Sequence, residues 1–263
     1  MNKITIIGAG NMGSIIYSAL IKHFDKKNIF VIDFNEDKLE ALDPSNQENF
    51  STEPEQIITE SDILIFCIKP QDFSSFIYDL RVTLHDKFLI SIMGGLTIDK
   101  IEHLTASQKI VRCMPNLPLS TGKGVTLWKQ NGLLQKPEID KVVEIFSLFG
   151  EAFEAKDEEE IDQVATLTSS GIAYFYFFAQ SLVKKAQELG FENSESIIKQ
   201  VFIGSSELLK QNSKIGLSQW LDKMSYKGGV TNAGIAQLKT LEEAVSKAVD
   251  ASVDRAENIK QKL

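Results

Sequence analysis

Three observations predict an α/β chain with a doubly wound parallel sheet in its first half and an all-α region after it. Apolar, β-branched runs alternate with helical patterns through the first half. The first of these runs ends in regularly spaced glycines. Near residue 155 the strand signals stop and helical periodicity takes over. The expected division is residues 1–155 for the sheet domain and residues 156–263 for a helical substrate and oligomerisation domain.

The first element is the run Ile4-Thr5-Ile6-Ile7, which leads into Gly8, Gly10 and Gly13 and then into helical spacing. A strand, a glycine loop and a helix start in this order form a dinucleotide-binding turn. The first glycine permits the tight turn, the second lets a pyrophosphate approach the backbone, and the third lets helix and strand pack closely. Gly8, Gly10, Asn11, Met12 and Gly13 are therefore candidate cofactor-binding residues, with free N–H groups and the positive helix end facing the phosphates. Glycines also end strands for structural reasons alone. The flanking strand, the following helix and an acid about twenty residues further on favour the nucleotide reading.

That acid is Asp33, at the end of the apolar strand of residues 28–33. A carboxylate there accepts hydrogen bonds from ribose hydroxyls and repels a 2′-phosphate by about 4 kcal/mol at ~4 Å and an effective dielectric of ~20. It therefore leans the choice between NADH and NADPH toward NADH. Capping of a helix over residues 35–42 is the alternative role for Asp33.

Residues 44–50 read as a loop and 54–59 as a short helix. Strands follow at 62–68, 87–93 and 109–114, separated by helical patterns and ended by Lys69-Pro70, Gly94-Gly95 and Pro115-Asn116. In a doubly wound sheet, ligands sit outside the carboxyl ends of the strands, so five turns are expected to share one crevice. A strand near 125–128, a helix led by Pro137 and a short strand at 152–154 complete the domain. The acidic run at 157–160 reads as the first turn of a helix.

Helices are expected at 161–168, 173–189, 195–210, 217–225 and 231–262. The last would span ~48 Å at 1.5 Å per residue, so it either breaks or packs on another subunit. The run from Tyr174 to Ala179 is apolar almost all round and reads as core that includes a subunit interface.

The chain has 263 residues, 43% hydrophobic and 24% charged, with a net charge of −8. This charge argues against a nucleic-acid or anionic-membrane surface. Cys67 and Cys113 lie in apolar runs and read as buried thiols in a reducing compartment. Without a leader-like segment or an apolar run of spanning length, the expected location is the cytoplasm. His23, His85 and His103 lack ligand spacing, so no metal is expected.

Two stretches carry a family resemblance. Arg112-Cys113-Met114-Pro115-Asn116-Leu117-Pro118 and Asp222-Lys223-Met224-Ser225-Tyr226-Lys227-Gly228-Gly229-Val230-Thr231-Asn232-Ala233-Gly234 resemble the most distinctive segments of Δ1-pyrroline-5-carboxylate reductases. Ile68-Lys69-Pro70, the segment from Ser91 to Thr97 and the segment from Ser169 to Tyr174 support it in the family order, over essentially the whole chain. The resemblance implies reduction of a cyclic imino acid to proline by NADH or NADPH, in a homodimer or larger homo-oligomer built through the C-terminal helices. It also implies that Lys69, Pro70, Met93, Gly94, Gly95, Met114, Pro115 and Asn116 line the nicotinamide side, between the sheet edge and the helical domain. Gly228, Gly229, Val230, Thr231 and Met224 then form the substrate side. Thr231 is the candidate catalytic residue, its hydroxyl polarising the imine nitrogen; its alternative role is an ordinary N-cap.

The chain departs from the family at several places. It has Ser169 and Ile172 where the family has glycine and proline, and Lys227 where the family has proline. An acidic residue expected near Lys214 is missing, and Asp33 replaces the small polar residue of many NADPH-using members. These departures keep open a related imine or 3-hydroxyacid-type reductase. A non-catalytic dinucleotide sensor is a further alternative, disfavoured by retention of Gly228, Gly229 and Thr231.

Overall fold

The computed structural model describes residues 3–261. One eight-stranded sheet runs in the order β3-β2-β1-β4-β5-β6-β7-β8. Its strands are β1 (Ile4–Ile7), β2 (Ile29–Ile32), β3 (Phe50–Ser51), β4 (Ile63–Phe66), β5 (Phe88–Ser91), β6 (Lys109–Pro115), β7 (Gly124–Gln130) and β8 (Gly150–Glu154). The first six are parallel to their neighbours, with Ile4 opposite both Ile29 and Ile63. β7 reverses, pairing antiparallel with β6, and β8 runs parallel to β7. The strand order turns around β1 and β4, which is the switch point where doubly wound sheets hold their ligands.

Burial explains why the central strands carry no polar alternation. Every residue of β1, β4 and β5 is buried, because helices cover both faces. One core contains Ile6, Ile16, Tyr17, Leu20 and Val31 under α1 (Asn11–Leu20). The opposite core contains Ile7, Leu64, Phe66, Phe73 and Ile101, under α4 (Pro70–Asp79) and α5 (Ile98–Thr105). The remaining helices of this region are α2 (Glu36–Leu42), α3 (Pro54–Glu60), α6 (Lys136–Ser147) and α7 (Glu158–Ala165). Asp157 caps α7 by accepting the Glu160 N–H at 2.8 Å, as the acidic run predicts.

The structure departs from the sequence reading at two places and decides between its alternatives at a third. The expected loop at 44–50 holds a short 3-10 turn and leads into β3, a two-residue edge strand too brief to leave a periodic signal. The helix expected at 161–168, with the acidic run as its first turn, does not end there but runs through a π turn at Thr166–Ser170 into α8 (Gly171–Glu188). Of the two outcomes expected for the long final helix, a break is found: α11 (Val230–Ala236) ends, and α12 (Leu241–Lys260) begins after a turn. Thr240 followed by Glu243 is a helix-start pattern that marks the break in the sequence. Residue 262, where the expected helix ended, lies outside the described residues.

The chain divides into two compact units. The first runs to Ser169 and takes in the chain from Val253 onward; the second is Ser170–Ser252. The boundary expected at 155 thus differs from this division, because α7 packs on β6 and β7 and stays with the sheet. The second unit contains α8, α9 (Ser194–Gln211), α10 (Leu217–Met224), α11 and the first part of α12. Within it α8 packs on α9, with Phe175 edge-on to Phe202.

A buried polar knot closes the β2 side. The Tyr17 hydroxyl donates to Asp43 Oδ2 at 2.7 Å, Asn46 Nδ2 donates to that hydroxyl at 3.3 Å, and Lys26 Nζ lies 2.6 Å from Asp43. Lys26, and then Tyr17, hold the Asp43 carboxyl well below the usual carboxylate range. Burial, and then Asp43, push the Tyr17 phenol up. A depressed folded-state value means that the stability from Asp43 is complete above the unfolded value of about 4 and drains away as pH falls through the folded value. Asp43→Ala is expected to cost about 2 kcal/mol near neutral pH. In urea unfolding the gap from wild type should shrink at about pH 3; an undiminished gap there would contradict this account.

Candidate active site

The glycine loop is shaped by three different demands. Gly8 sits at φ +108°, and a Cβ there would lie 2.9 Å from the carbonyl carbon and oxygen of Cys67. Gly13 lets α1 rest on the loop, since a Cβ there would stand 1.8 Å from the Gly8 carbonyl oxygen. Gly10 has ordinary extended φ and ψ, and no atom lies within 4 Å of where its Cβ would be. Space has therefore been left beside Gly10 itself. Gly10 is also the N-cap of α1, with no side chain capping the helix and no acidic residue in its first turn. The first-turn N–H groups, those of Asn11, Met12 and Gly13, and the helix dipole lack a protein anion.

Asp33 is tied to this loop. Its Oδ2 accepts the Ala9 N–H at 2.8 Å and faces Lys38 Nζ at 3.4 Å, while its Oδ1 accepts the Asn35 N–H at 2.9 Å. The cap of α2 is Asn35, whose side chain accepts the Lys38 N–H at 3.1 Å. Helix capping is therefore not what Asp33 does; it joins the end of β2 to the glycine loop.

A cavity of about 450 Å³ opens at the switch point, with Gly8, Gly10, Asp33 and Lys69 among its lining residues. That volume is in the range of small-molecule sites. Sequence reasoning missed much of the wall. Phe34 stands at the rim, 69% exposed, with its ring 6.1 Å from that of Phe76. Lys38, Ile68, Asp72 and Asp79 also line it. Asp72, Phe76 and Asp79 recur at helical spacing on α4, so one face of that helix was a readable signal.

Of the five turns expected to share one crevice, the glycine loop, Asp33 and Lys69 line this cavity. Gly94-Gly95 and Met114-Pro115-Asn116 lie at the ends of β5 and β6, outside its lining. Lys69 is the N-cap of α4 and Pro70 its first residue. Met93 is 2% exposed and belongs to the core, so only its backbone can face a ligand. Gly95 has φ +77°, and Met114 Cε would lie 3.3 Å from a Cβ on Gly94, which brings the ends of β5 and β6 together. Pro115 ends β6. Asn116 is buried: its Nδ2 donates to the Thr168 carbonyl at 2.8 Å and its Oδ1 accepts the Val125 N–H at 2.8 Å.

In the second unit, Gly228 adopts φ +80° and the Gly229 N–H donates to the Tyr226 carbonyl at 3.0 Å, closing a turn. The Tyr226 ring lies over Gly229, where a Cβ would stand 2.9 Å from Cζ. Gly229 is the N-cap of α11, which again has neither a capping side chain nor an acid in its first turn. Val230 is 92% exposed, Met224 is 50% exposed and Thr231 is exposed. Because the cap is Gly229, the ordinary N-cap explanation for Thr231 falls.

Other groups belong to the frame. Burial raises both the Cys67 and Cys113 thiols, which are free and behave as apolar filling. His23, His85 and His103 are all exposed. Among the described residues no helix is long and apolar enough to cross a membrane.

A switch-point cavity, a glycine loop feeding an uncapped helix and an acid at the end of β2 define a dinucleotide-binding oxidoreductase of the Rossmann type. Known proteins narrow the class. Residues 158–259 match the family described as pyrroline-5-carboxylate reductase dimerisation, and residues 3–95 match NADP oxidoreductase, coenzyme F420-dependent. Pyrroline-5-carboxylate reductase of Staphylococcus saprophyticus is 31% identical, covering 97% of this chain and 96% of its own. The Staphylococcus epidermidis protein of that name is 29% identical, covering 96% and 97%. The crystal structure of Plasmodium falciparum pyrroline carboxylate reductase with NADP bound has a TM-score of 0.85 at 27% identity, covering 98% of both chains. The chain belongs to the pyrroline-5-carboxylate reductase family.

Proposed function

We propose that this protein reduces 1-pyrroline-5-carboxylate to L-proline, the last step of proline biosynthesis, using NADH or NADPH. The observation that carries the reading is the whole-chain relationship: the dinucleotide half and the helical half are matched together, in one alignment, to reductases of that name. The residues suit a dinucleotide. The open space beside Gly10 and the uncapped start of α1 fit a pyrophosphate, and Phe34 offers a flat apolar face to an adenine at the cavity rim. Asp33 suits ribose hydroxyls and disfavours a 2′-phosphate, so NADH is the preferred donor; Lys38 offsets part of that charge, so the preference is modest.

The substrate carboxylate is assigned to the N–H groups at the start of α11, after Gly228 and Gly229. Thr231 then hydrogen-bonds the ring nitrogen, orienting the C=N bond and carrying a proton toward it. When bound, the reduced nicotinamide supplies a hydride to the imine carbon, the nitrogen gains a proton and the C=N bond becomes single. Lys69, Pro70, the backbone of Met93, Gly94, Gly95 and the segment from Met114 to Asn116 are assigned to the nicotinamide side.

Oxidation of NADH and of NADPH with pyrroline-5-carboxylate, measured separately, tests this. Wild type should turn over with both, with NADH favoured, and Thr231→Ala should lower kcat by about a hundredfold, the size of a lost acid–base contact. No turnover with either cofactor would overturn the reading, and a clear preference for NADPH would overturn the role of Asp33.

A further inference from the structure

Arg112, on β6, is fully buried although it carries a charge. Its Nη1 donates to Glu158 Oε1 at 3.1 Å, and its Nη2 pairs with Asp162 Oδ1. Glu158 Oε1 also accepts the Ile98 N–H at 3.0 Å, and Asp162 Oδ2 accepts from Lys260 Nζ, at the end of α12, at 3.0 Å. One guanidinium thus gathers β6, the start of α5, two turns of α7 and the last residue of α12, all within the first unit. Its Nε has no hydrogen-bond partner among the described residues.

Four residues further along the chain, Asn116 holds the other end of the same helix through the Thr168 carbonyl. Thr168 lies in the π turn that continues α7. Such turns leave carbonyls without their regular helical donor, and here a side chain supplies one. β6 therefore grips α7 and its extension twice, by an ion cluster at Arg112 and by an amide at Asn116. A buried ion pair adds little net stability compared with apolar packing of the same volume, but its directed bonds define one position.

We propose that Arg112, Asp162 and Lys260 are positioning residues: through α7 they set the π turn, and through the π turn they set Asn116 at the carboxyl end of β6. The seating of the end of α12 then bears on the geometry of the nicotinamide side. The proposal rests on the reductase reading for its kinetic consequence and on the ion cluster alone for its structural one.

The test uses full-length Lys260→Met, with Lys260→Arg as rescue and Arg112→Lys as a second probe. Lys260 is 39% exposed, so its loss leaves the fold standing. Hydrogen exchange of the amides of residues 166–170 should speed up about tenfold in Lys260→Met. Its kcat should fall about tenfold, with substrate KM and dinucleotide Kd changed less than about twofold. Lys260→Arg should restore both readouts, and Arg112→Lys, which cannot bridge two carboxylates in the same fork, should show both defects. Unchanged exchange at 166–170, or a lower Tm with kcat intact, would overturn the proposal. If wild type itself fails to turn over, the reductase reading falls, and the exchange measurement still decides the coupling.

Discussion

Alanine at Gly10 is expected to weaken dinucleotide binding about a hundredfold, or ~2.8 kcal/mol, and to leave the fold intact. Alanine at Gly13 is expected to lose both. The difference follows from what each Cβ would meet. At Gly10 the backbone is extended and nothing lies within 4 Å, so the methyl group enters the space left for phosphate. Folding gains a few tenths of a kcal/mol, about 0.4 or more, from a stiffer unfolded chain. At Gly13 the methyl would meet the Gly8 carbonyl oxygen at 1.8 Å, and α1 would have to lift off β1. That displacement opens the core around Ile16 and Leu20 at a cost of about 3 kcal/mol or more. Thermal melts with and without NADH separate the two cases. Gly10→Ala should keep the wild-type Tm and lose the ligand-induced rise, whereas Gly13→Ala should melt early in both. A Gly10→Ala variant that binds like wild type would show that no phosphate approaches there.

How much of this was legible in the sequence differs between the two halves of the site. The glycine loop, Asp33 and the strand ends could be read because parallel strands covered on both faces appear as unbroken apolar runs. Each run ends where the backbone meets the ligand edge. The wall formed by α4 went unread because its signal, Asp72, Phe76 and Asp79 on one face, looks like an ordinary amphipathic helix until the helix is placed beside β4. Arg112 was noticed only as a letter in a motif, since no local pattern tells a buried guanidinium from a surface one. Its partners lie 46 and 50 residues away. The acidic run was read as a helix start, which holds for Asp157, but the ion pair of Glu158 depends on that distant arginine. A break in the final helix was one of the two outcomes its length demanded, but the place of the break was hidden: residues 237–240 contain neither glycine nor proline, and only the pairing of Thr240 with Glu243 marks it.

Replacing Phe177 with aspartate is expected to break the assembly. Between Ser170 and Ser252 not one apolar side chain is buried, and α8, α10, α11 and α12 contribute no buried residue at all. Tyr176 and Phe177 on α8 are 67% and 73% exposed, and Ile203 on α9 is 61% exposed. A helical unit with no closed core cannot offset the entropy of ordering its own backbone, which costs about 1–2 kcal/mol per residue. The missing apolar contact has to come from another chain, in keeping with the match of residues 158–259 to a dimerisation family. A buried aromatic at such an interface is worth about 2 kcal/mol or more, and an aspartate in its place adds the cost of an unpaired charge. Light scattering should find wild type as a dimer or larger, with a Tm that rises with protein concentration. Phe177→Asp should shift the mass toward monomer, lower the Tm and abolish turnover, because an unsupported helical unit cannot hold Thr231 in place. Tyr78→Asp is the control: this aromatic on α4 points away from the core that holds Phe73 and Phe76, is 88% exposed, and a charge there should change neither mass nor activity. A wild-type monomer whose helices melt in one cooperative step would show that the unit closes its own core, and the assembly would then have no physical cause.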